Sequence, residues 1–496
     1  MRRLLLVIGI PVLAFVALAA WSFSSPVASS PDDDFHLASA WCGLGERAGL
    51  CESPGGDTYE RLIPTPLTKA TCFAFHPDVS ASCWVSDEPG MTLVERANAD
   101  GLYPPVFYAT MSVFASPDIP ASVMAMRLFN AAFAVGLLTA VFFTLPRWMR
   151  PALLVSVAVT SVPVGVFVLA STNPSSWAVL SAATVWISLY GATQTVGRRR
   201  IVLAALALFG AVIGAGARAD AAVYAVFGVV IALILGARLR RDQLIPLVAA
   251  GVIAVVSIAF YLSAWQGSAV VNGMVQGNPP LSGGQIVSNI MEIPSLWTGA
   301  LGGWALGWID TDLPAVVEVL GATVFGGVLF IGLRRVGGRR AVAVLFALLA
   351  LWAVPFVLLY QSRTVVGDLV QPRYLLPLMI IAIGVASLRR DAEYAWNGYR
   401  LWLGGAALTV AFAAALRTNI QRYTTGIDQF HLDPGTNAEW WWNGAPSPLV
   451  TWVVGTLAFA GIFVLLSLAL PRPEREPSTS GPAIDSAASP TTADTV

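Results

Sequence analysis

The sequence predicts an all-α polytopic membrane protein with about twelve transmembrane helices and a disulfide-bonded extracytoplasmic first loop. Three observations carry this expectation. Of the 496 residues, 56% are hydrophobic and only 12% are charged, about half the charged share of a soluble globular chain. Apolar stretches near the ~20 residues that span a bilayer recur along the chain. All four cysteines, Cys42, Cys51, Cys72 and Cys83, fall in one polar segment and none in an apolar stretch. Formal net charge is zero and the sole lysine is Lys69, so nothing points to a nucleic-acid partner.

Arg2 and Arg3 precede an apolar run from Leu4 to about Trp21. This is the pattern of a first transmembrane helix or of a cleaved signal peptide, and a retained anchor is the favoured reading. Residues 22–120 hold the cysteines, many prolines and glycines, and few apolar runs, as expected of a small loop-rich extracytoplasmic domain. The cysteine spacings lack the close pairs of a zinc site, so two disulfides are favoured over a metal, with the pairing open. Within this segment Tyr103 to Phe114 is aromatic but too short to span. It reads as a membrane-surface helix entered through Pro104-Pro105, or as packing inside the loop domain.

Residues 121–470 form the multi-span part. Further spans are expected near 126–145, 152–170, 177–195, 201–217, 220–236, 244–264, 313–333, 341–360, 373–388, 400–416 and 449–470. If Arg2 and Arg3 are cytoplasmic, alternation puts every later basic cluster on that side: Arg147 and Arg150, Arg198 to Arg200, Arg238 to Arg241, Arg334 to Arg340, Arg389 and Arg390, and Arg472 and Arg475. That agreement supports both the count and the orientation, with both termini cytoplasmic. The outer loops at 265–312 and 417–448 carry Trp297, Trp304 and Trp308, and Trp440 to Trp442. These read as interfacial anchors or as contacts to a lipid substrate. Residues 471–496, rich in Pro, Ser, Thr and Ala, read as a disordered cytoplasmic tail.

Chemistry is expected at the outer rim. Asp32, Asp33 and Asp34 crowd three carboxylates into one turn about ten residues after the first helix, with His36 beside them. Mutual repulsion and partial burial raise such carboxyls toward neutral pH, which suits a general base. A solvated acidic turn, or an N-cap by Asp32 or Asp33, is the plainer alternative. Arg127, Arg218 and Arg373 lie on the side that orientation does not explain. Each either meets a lipid phosphate or joins a structural pair, such as Arg218 with Asp220 or Arg373 with Asp368. Asn173-Pro174 either caps the following span or offers an amide to a hydroxylated substrate. No serine triad, phosphate-binding loop or zinc-protease motif is present.

Pro31-Asp32-Asp33 with His36, Pro104-Pro105-x-x-Tyr108, Asn173-Pro174, and Gln371-x-Arg373-Tyr374-x-x-Pro377 together resemble the bacterial predicted membrane proteins grouped as domain of unknown function 2142. The resemblance runs from the first helix to about the tenth span. In that family the acidic motif is Asp-Glu, two residues, then His, so Asp33 stands where the family has a longer acid. The family is in turn similar to membrane glycosyltransferases of the C-type fold (GT-C), which use polyprenyl-phosphate sugars and carry a catalytic acid in the first outer loop.

The resemblance implies Asp33 or Asp32 as the base with His36 beside it, and Arg373, Arg127 and Arg218 on the donor phosphate. It implies Tyr374, Gln371, Asn173 and Tyr108 in substrate binding. The implied partners are a polyprenyl-linked sugar donor, an envelope glycan or lipid acceptor, and membrane lipids at the outer face of a bacterial plasma membrane. No cofactor is required, and a divalent metal at the acidic motif is an alternative. A transporter or flippase would place acids or broken spans at mid-membrane. A non-enzymatic envelope assembly protein makes no demand on the acids.

Overall fold

The computed structural model describes residues 2–56, 58–238, 240–268, 274, 277–391 and 395–469. The tail expected to be disordered lies outside them. α1 (Arg2–Phe23) leads into a loop-rich segment holding α2 (Asp33–Cys42), β1 (Arg61–Pro64), α3 (Thr65–Lys69), β2 (Met91–Val94) and α4 (Val106–Ser112). β1 and β2 pair antiparallel, Arg61 opposite Val94. The bundle then runs through α5 (Ile119–Thr144), α6 (Arg150–Thr160), α7 (Val166–Leu169), α8 (Ser175–Thr193), α9 (Gly197–Ala215), α10 (Ala219–Gly236) and α11 (Leu244–Ser263). It continues with α12 (Gly283–Thr298), α13 (Ala315–Leu333), α14 (Gly338–Ser362), α15 (Leu376–Ala386), α16 (Tyr399–Thr424) and α17 (Pro448–Ala469).

A helix stands at each place where a span is expected. Among the described residues eight helical stretches are long and apolar enough to cross a membrane: α5, the α6–α7 stretch, α10, α11, α13, α14, α16 and α17. The apolar parts of α1 (Val7–Phe23) and α15 with its leading turn (Pro372–Ala386) are shorter. α9, which opens on Arg198 to Arg200, meets neither description, and α8 fails both for a different physical reason. Every one of its residues is buried, so other helices rather than lipid surround it and its serines and threonines face protein. The protein is thus a helical membrane protein with several spans.

The structure corrects several boundaries. α5 begins at Ile119, where the Asp118 side chain accepts a hydrogen bond from Ala121 N at 3.0 Å, so Arg127 lies two turns inside the helix rather than at its start. α16 runs on to Thr424, carrying Arg417, Asn419 and Arg422 into the region expected to be loop. Those polar residues are buried, Asn419 and Arg422 against the loop domain and Arg417 against Phe430 and Leu432, and burial by protein sustains a helix that hydropathy alone would end. The expected 265–312 loop contains α12. Its capping box pairs Ser282 with Gln285, and the S-x-x-Q pattern is a sequence signal for it.

α4 settles the Tyr103 to Phe114 alternative in favour of packing within the protein. Phe107, Tyr108 and Met111 are buried in one core with α2 residues Leu37, Ala38 and Trp41. The tryptophans of the two long loops make internal hydrogen bonds: Trp297 donates to Leu351 O at 3.1 Å, Trp308 to Ala28 O at 2.9 Å and Trp442 to Phe23 O at 2.9 Å.

The cysteines form two local disulfides, Cys42–Cys51 and Cys72–Cys83. The loop domain is held down by Arg422, which donates to Val79 O at 2.6 Å, Phe73 O at 2.8 Å and His76 O at 3.0 Å. It also pairs with Asp310 at 2.9 Å, both side chains at most 4% exposed. The residues around 22–32, 171–175, 218–220, 308–310, 371–374 and 417–424 thereby meet at one end of the bundle. Arginines gather at the other end, where Arg199 donates to Thr144 O, Arg339 to Ala237 O and Arg389 to Ile331 O.

Candidate functional site

The acidic turn is built by the loop between α1 and α2, and buried polar groups fix that loop. Arg127 donates to Ser25 O and Pro26 O, each at 2.6 Å, to Ser22 O at 3.1 Å, and to the Ser29 hydroxyl at 3.1 Å. Asn419 donates to the Ser24 hydroxyl at 2.8 Å. Asn173 uses both ends of its amide. Its Oδ1 accepts from Ser175 N at 3.0 Å and caps the start of α8, while its Nδ2 donates to Pro31 O at 2.9 Å and the Ser30 hydroxyl at 3.2 Å. Arg127 and Asn173 therefore hold the shape of the loop that presents the acids, and Asn173 both caps and reaches the site.

The three consecutive carboxylates diverge. Asp32 sits at the N-cap position of α2 with φ 60° and ψ 22°, yet its side chain caps nothing. It reaches Arg373 instead, at 2.6 Å, with the Asp32 side chain 39% exposed and that of Arg373 only 3%. The alternative pairing of Arg373 with Asp368 is not the one formed. Asp33 points inward, is 1% exposed, and accepts one hydrogen bond, from Ser30 N at 2.9 Å; its other oxygen has no partner. Asp34 pairs with Arg96 at the rim. Three acids aimed three ways make a poor cation site, and among the described residues no group of His, Cys, Asp or Glu is arranged to hold a metal.

Charge follows geometry. Burial raises the Asp33 carboxyl to about 7, against the opposing pull of Arg127 and the Ser30 hydrogen bond, while Asp34 and Asp32 add only smaller pushes upward. Burial rather than mutual repulsion is thus the main cause, which revises the expectation from the sequence. Burial alone would also raise Asp32, but Arg373, helped by His36, Arg218 and Arg96, outweighs it and holds the carboxyl below its usual range. Burial drives the His36 imidazole down to about 3 despite Asp32, so His36 is neutral. Its Nδ1 shares a hydrogen bond of 2.8 Å with the Tyr108 hydroxyl, and its Nε2 has no partner. It faces Tyr108, Tyr103 and Phe35 rather than a carboxylate.

The cations are arranged around aromatic rings. Arg373 also donates to Gln371 Oε1 and lies 4.9 Å from the Tyr374 ring. Arg218 forks onto both oxygens of Asp220, at 2.8 and 2.9 Å, while stacking 5.1 Å from Tyr374 and 5.7 Å from Tyr103. Of the two expectations for Arg218 the structural pair with Asp220 is the one formed, and the guanidinium also borders the same cluster as Arg373. Such cation–ring contacts keep a guanidinium in place without using its donors.

A narrow groove with about 30 Å³ of internal room opens beside this cluster, lined by Pro31, Phe167, Trp304, Gly307, Ile309 and Arg373 among others. Two non-glycine residues flank it in left-handed backbone, Asp32 (φ 60°) and Ile309 (φ 61°). For a β-branched residue this conformation is an outlier, and such strain collects at functional sites. In the groove wall from Trp304 to Ile309 only Trp304 and Trp308 were singled out from the sequence, as anchors or lipid contacts; Ala305 to Gly307, Ile309 and the partner Tyr103 were not read as site residues. Their only signals were a tryptophan among glycines and a tyrosine beside two prolines. Asp32, Asp33, His36, Tyr108, Asn173, Arg218, Gln371, Arg373 and Tyr374 all fall in one region, brought together from α1–α2, α4, α8, α10 and α15.

A family profile described as a predicted membrane protein (DUF2142) matches residues 15–382, a stretch that contains every one of these residues. Curated proteins give no match. With the profile spanning most of the chain, from within α1 to within α15, the protein belongs to the DUF2142 family of predicted membrane proteins.

Proposed function

We propose that this protein is a GT-C-like glycosyltransferase. It moves a sugar from a polyprenyl-phosphate-type lipid donor to a cell-envelope acceptor at the outer face of a bacterial plasma membrane. In this reading the chain has twelve spans, both termini are cytoplasmic, and the Asp32 end faces outward. The observation that carries the reading is the Asp32–Arg373 pair at the mouth of a groove. It joins an accessible carboxylate to a buried guanidinium at the end of the bundle where a donor phosphate would lie.

The pairing suggests how binding and chemistry are linked. A donor phosphate drawn to Arg373 takes the charge that holds Asp32 acidic, and Asp32 becomes a better base as its counter-ion is shared. The acceptor hydroxyl then gives its proton to Asp32 as its oxygen bonds to the sugar C1. The bond from C1 to the phosphate oxygen breaks, and the lipid phosphate leaves as an anion stabilised by Arg373. Asp33, buried and short of the surface, supports the loop and does not touch the acceptor.

The test compares envelope glycans of cells with the gene, without it, and with Asp32→Asn or Arg373→Gln expressed at wild-type level. Loss of a general base lowers transfer by about 10²-fold or more. Glycans that are identical in all four strains would sink the proposal, whereas a change on deletion that both variants rescue points to an assembly role.

A further inference from the structure

A second polar cavity lies at the opposite end of the bundle. It holds about 310 Å³ and is lined by Arg334, Arg335, Arg340, Arg389 and Arg390, with Asp391, Trp148, Tyr190, Leu235 and Leu388 completing the wall. Five guanidiniums and one carboxylate face a single space. They come from the connection between α13 and α14 with the first turn of α14, and from the connection that follows α15.

The five differ in what holds them. Arg340 is fixed by backbone, donating to Ala386 O at 2.7 Å and also to Gly332 O. Arg389 forks onto Asp391 at 2.8 and 2.6 Å and donates to Ile331 O at 3.0 Å. The Arg390 guanidinium lies 5.6 Å from the Trp148 ring. Among the described residues no carboxylate lies within 4 Å of Arg334, Arg335 or Arg390, and Arg335 acts on Asp391 only at longer range. Orientation in a membrane asks for basic residues near these loops but not for their convergence. The arginines that follow α8 behave otherwise: Arg199 and Arg200 donate to the carbonyls of Thr144, Leu145 and Thr195 and close helix ends. Here, among the described residues, three guanidiniums keep their forks unpaired with any carboxylate, beside the Trp148 indole.

We propose that this basin binds a phosphate-class polyanion, with Arg334, Arg335 and Arg390 as the ligating forks and Arg340 and Arg389 as the fixed positive floor. Such a group arrives either as the headgroup of an anionic phospholipid or as a soluble phosphate. The site is independent of the reaction assigned to Asp32 and Arg373.

The experiment uses the full chain purified in neutral detergent, with binding read by native mass spectrometry and by thermal shift. Phosphatidylglycerol is compared with phosphatidylcholine as the lipid probe, and inorganic pyrophosphate is the soluble probe. Two variants are made: the triple Arg334→Gln, Arg335→Gln, Arg390→Gln, and the corresponding triple to Lys, which keeps the charges that orient the chain. The wild type is expected to bind one probe at least tenfold more tightly than the Gln variant, and the Lys variant to lose at least threefold because an ammonium lacks the fork. Preference for phosphatidylglycerol over phosphatidylcholine without pyrophosphate binding assigns a lipid headgroup; binding of pyrophosphate alone assigns a soluble ligand. Binding equal in all three proteins, or absent for both anions, overturns the proposal.

Discussion

Replacing Asp33 by Asn separates the buried acid from its half-buried neighbour. Asp33 is 1% exposed, with a single hydrogen bond from Ser30 N, and burial raises its carboxyl from 3.8 to about 7. Well below pH 3.8 the group is protonated in the folded and unfolded chains alike and has no net effect. As pH rises the unfolded chain gives up this proton near 3.8, while the folded chain keeps it until about 7. Stability therefore falls across that window and the loss is complete above it. The gap between the two values amounts to about 4 kcal/mol. An asparagine side chain here keeps the shape and the acceptor for Ser30 N but has no proton to hold. Asp33→Asn is thus expected to be more stable than wild type at pH 8, by up to about 4 kcal/mol, with the advantage shrinking to nothing well below pH 3.8. Intrinsic fluorescence from the 17 tryptophans reports the thermal midpoint in detergent across this range. All other titrating groups are common to both proteins, so the difference between them isolates Asp33. A difference that stays constant from pH 4 to 8 would refute the assignment of a buried, neutral carboxyl.

Three further outcomes follow from single contacts. Tyr108→Phe removes the hydroxyl that meets His36 Nδ1 at 2.8 Å, leaving both ring nitrogens of a buried imidazole without partners. A loss of about 1–3 kcal/mol is expected, seen as a lower midpoint with α2 still formed. Arg422→Gln leaves Asp310 buried without its cation and frees three carbonyls of the loop domain. It should cost about 3–5 kcal/mol, and proteolysis within residues 70–80 should become faster than in wild type. Cys42→Ser with Cys51→Ser opens a short covalent loop and is expected to cost about 3 kcal/mol, whereas reductant should leave the midpoint of that variant less affected than that of wild type.

The helices were legible because the apolar stretches were. Each place read as a span carries a helix, with ends moved by a few residues where a cap such as Asp118 starts one early. The larger misses share one cause. The last two turns of α16 and the whole of α12 are helices whose polar or amphipathic residues find their partners in distant loops, and hydropathy along the chain records no such partner. The site was legible as a set of residues, through the short motifs that mark the family, but the duties of its members were not. Arg127 and Arg373 look alike in sequence as arginines at an outer rim; one is wrapped by the carbonyls of 22–26, the other faces a carboxylate.

Residue order alone was enough to establish a helical membrane protein with a cysteine-bearing loop and an acidic turn after its first helix. Composition and the spacing of apolar runs are properties of the chain in any conformation, so they survive without coordinates. That Asp32 is half-buried and ionised while its neighbour Asp33 is fully buried and held near neutrality became visible only in three dimensions. Adjacent side chains leave the backbone in different directions, and their charge depends on which distant groups, Arg373 for one and a dry interior for the other, lie where they point.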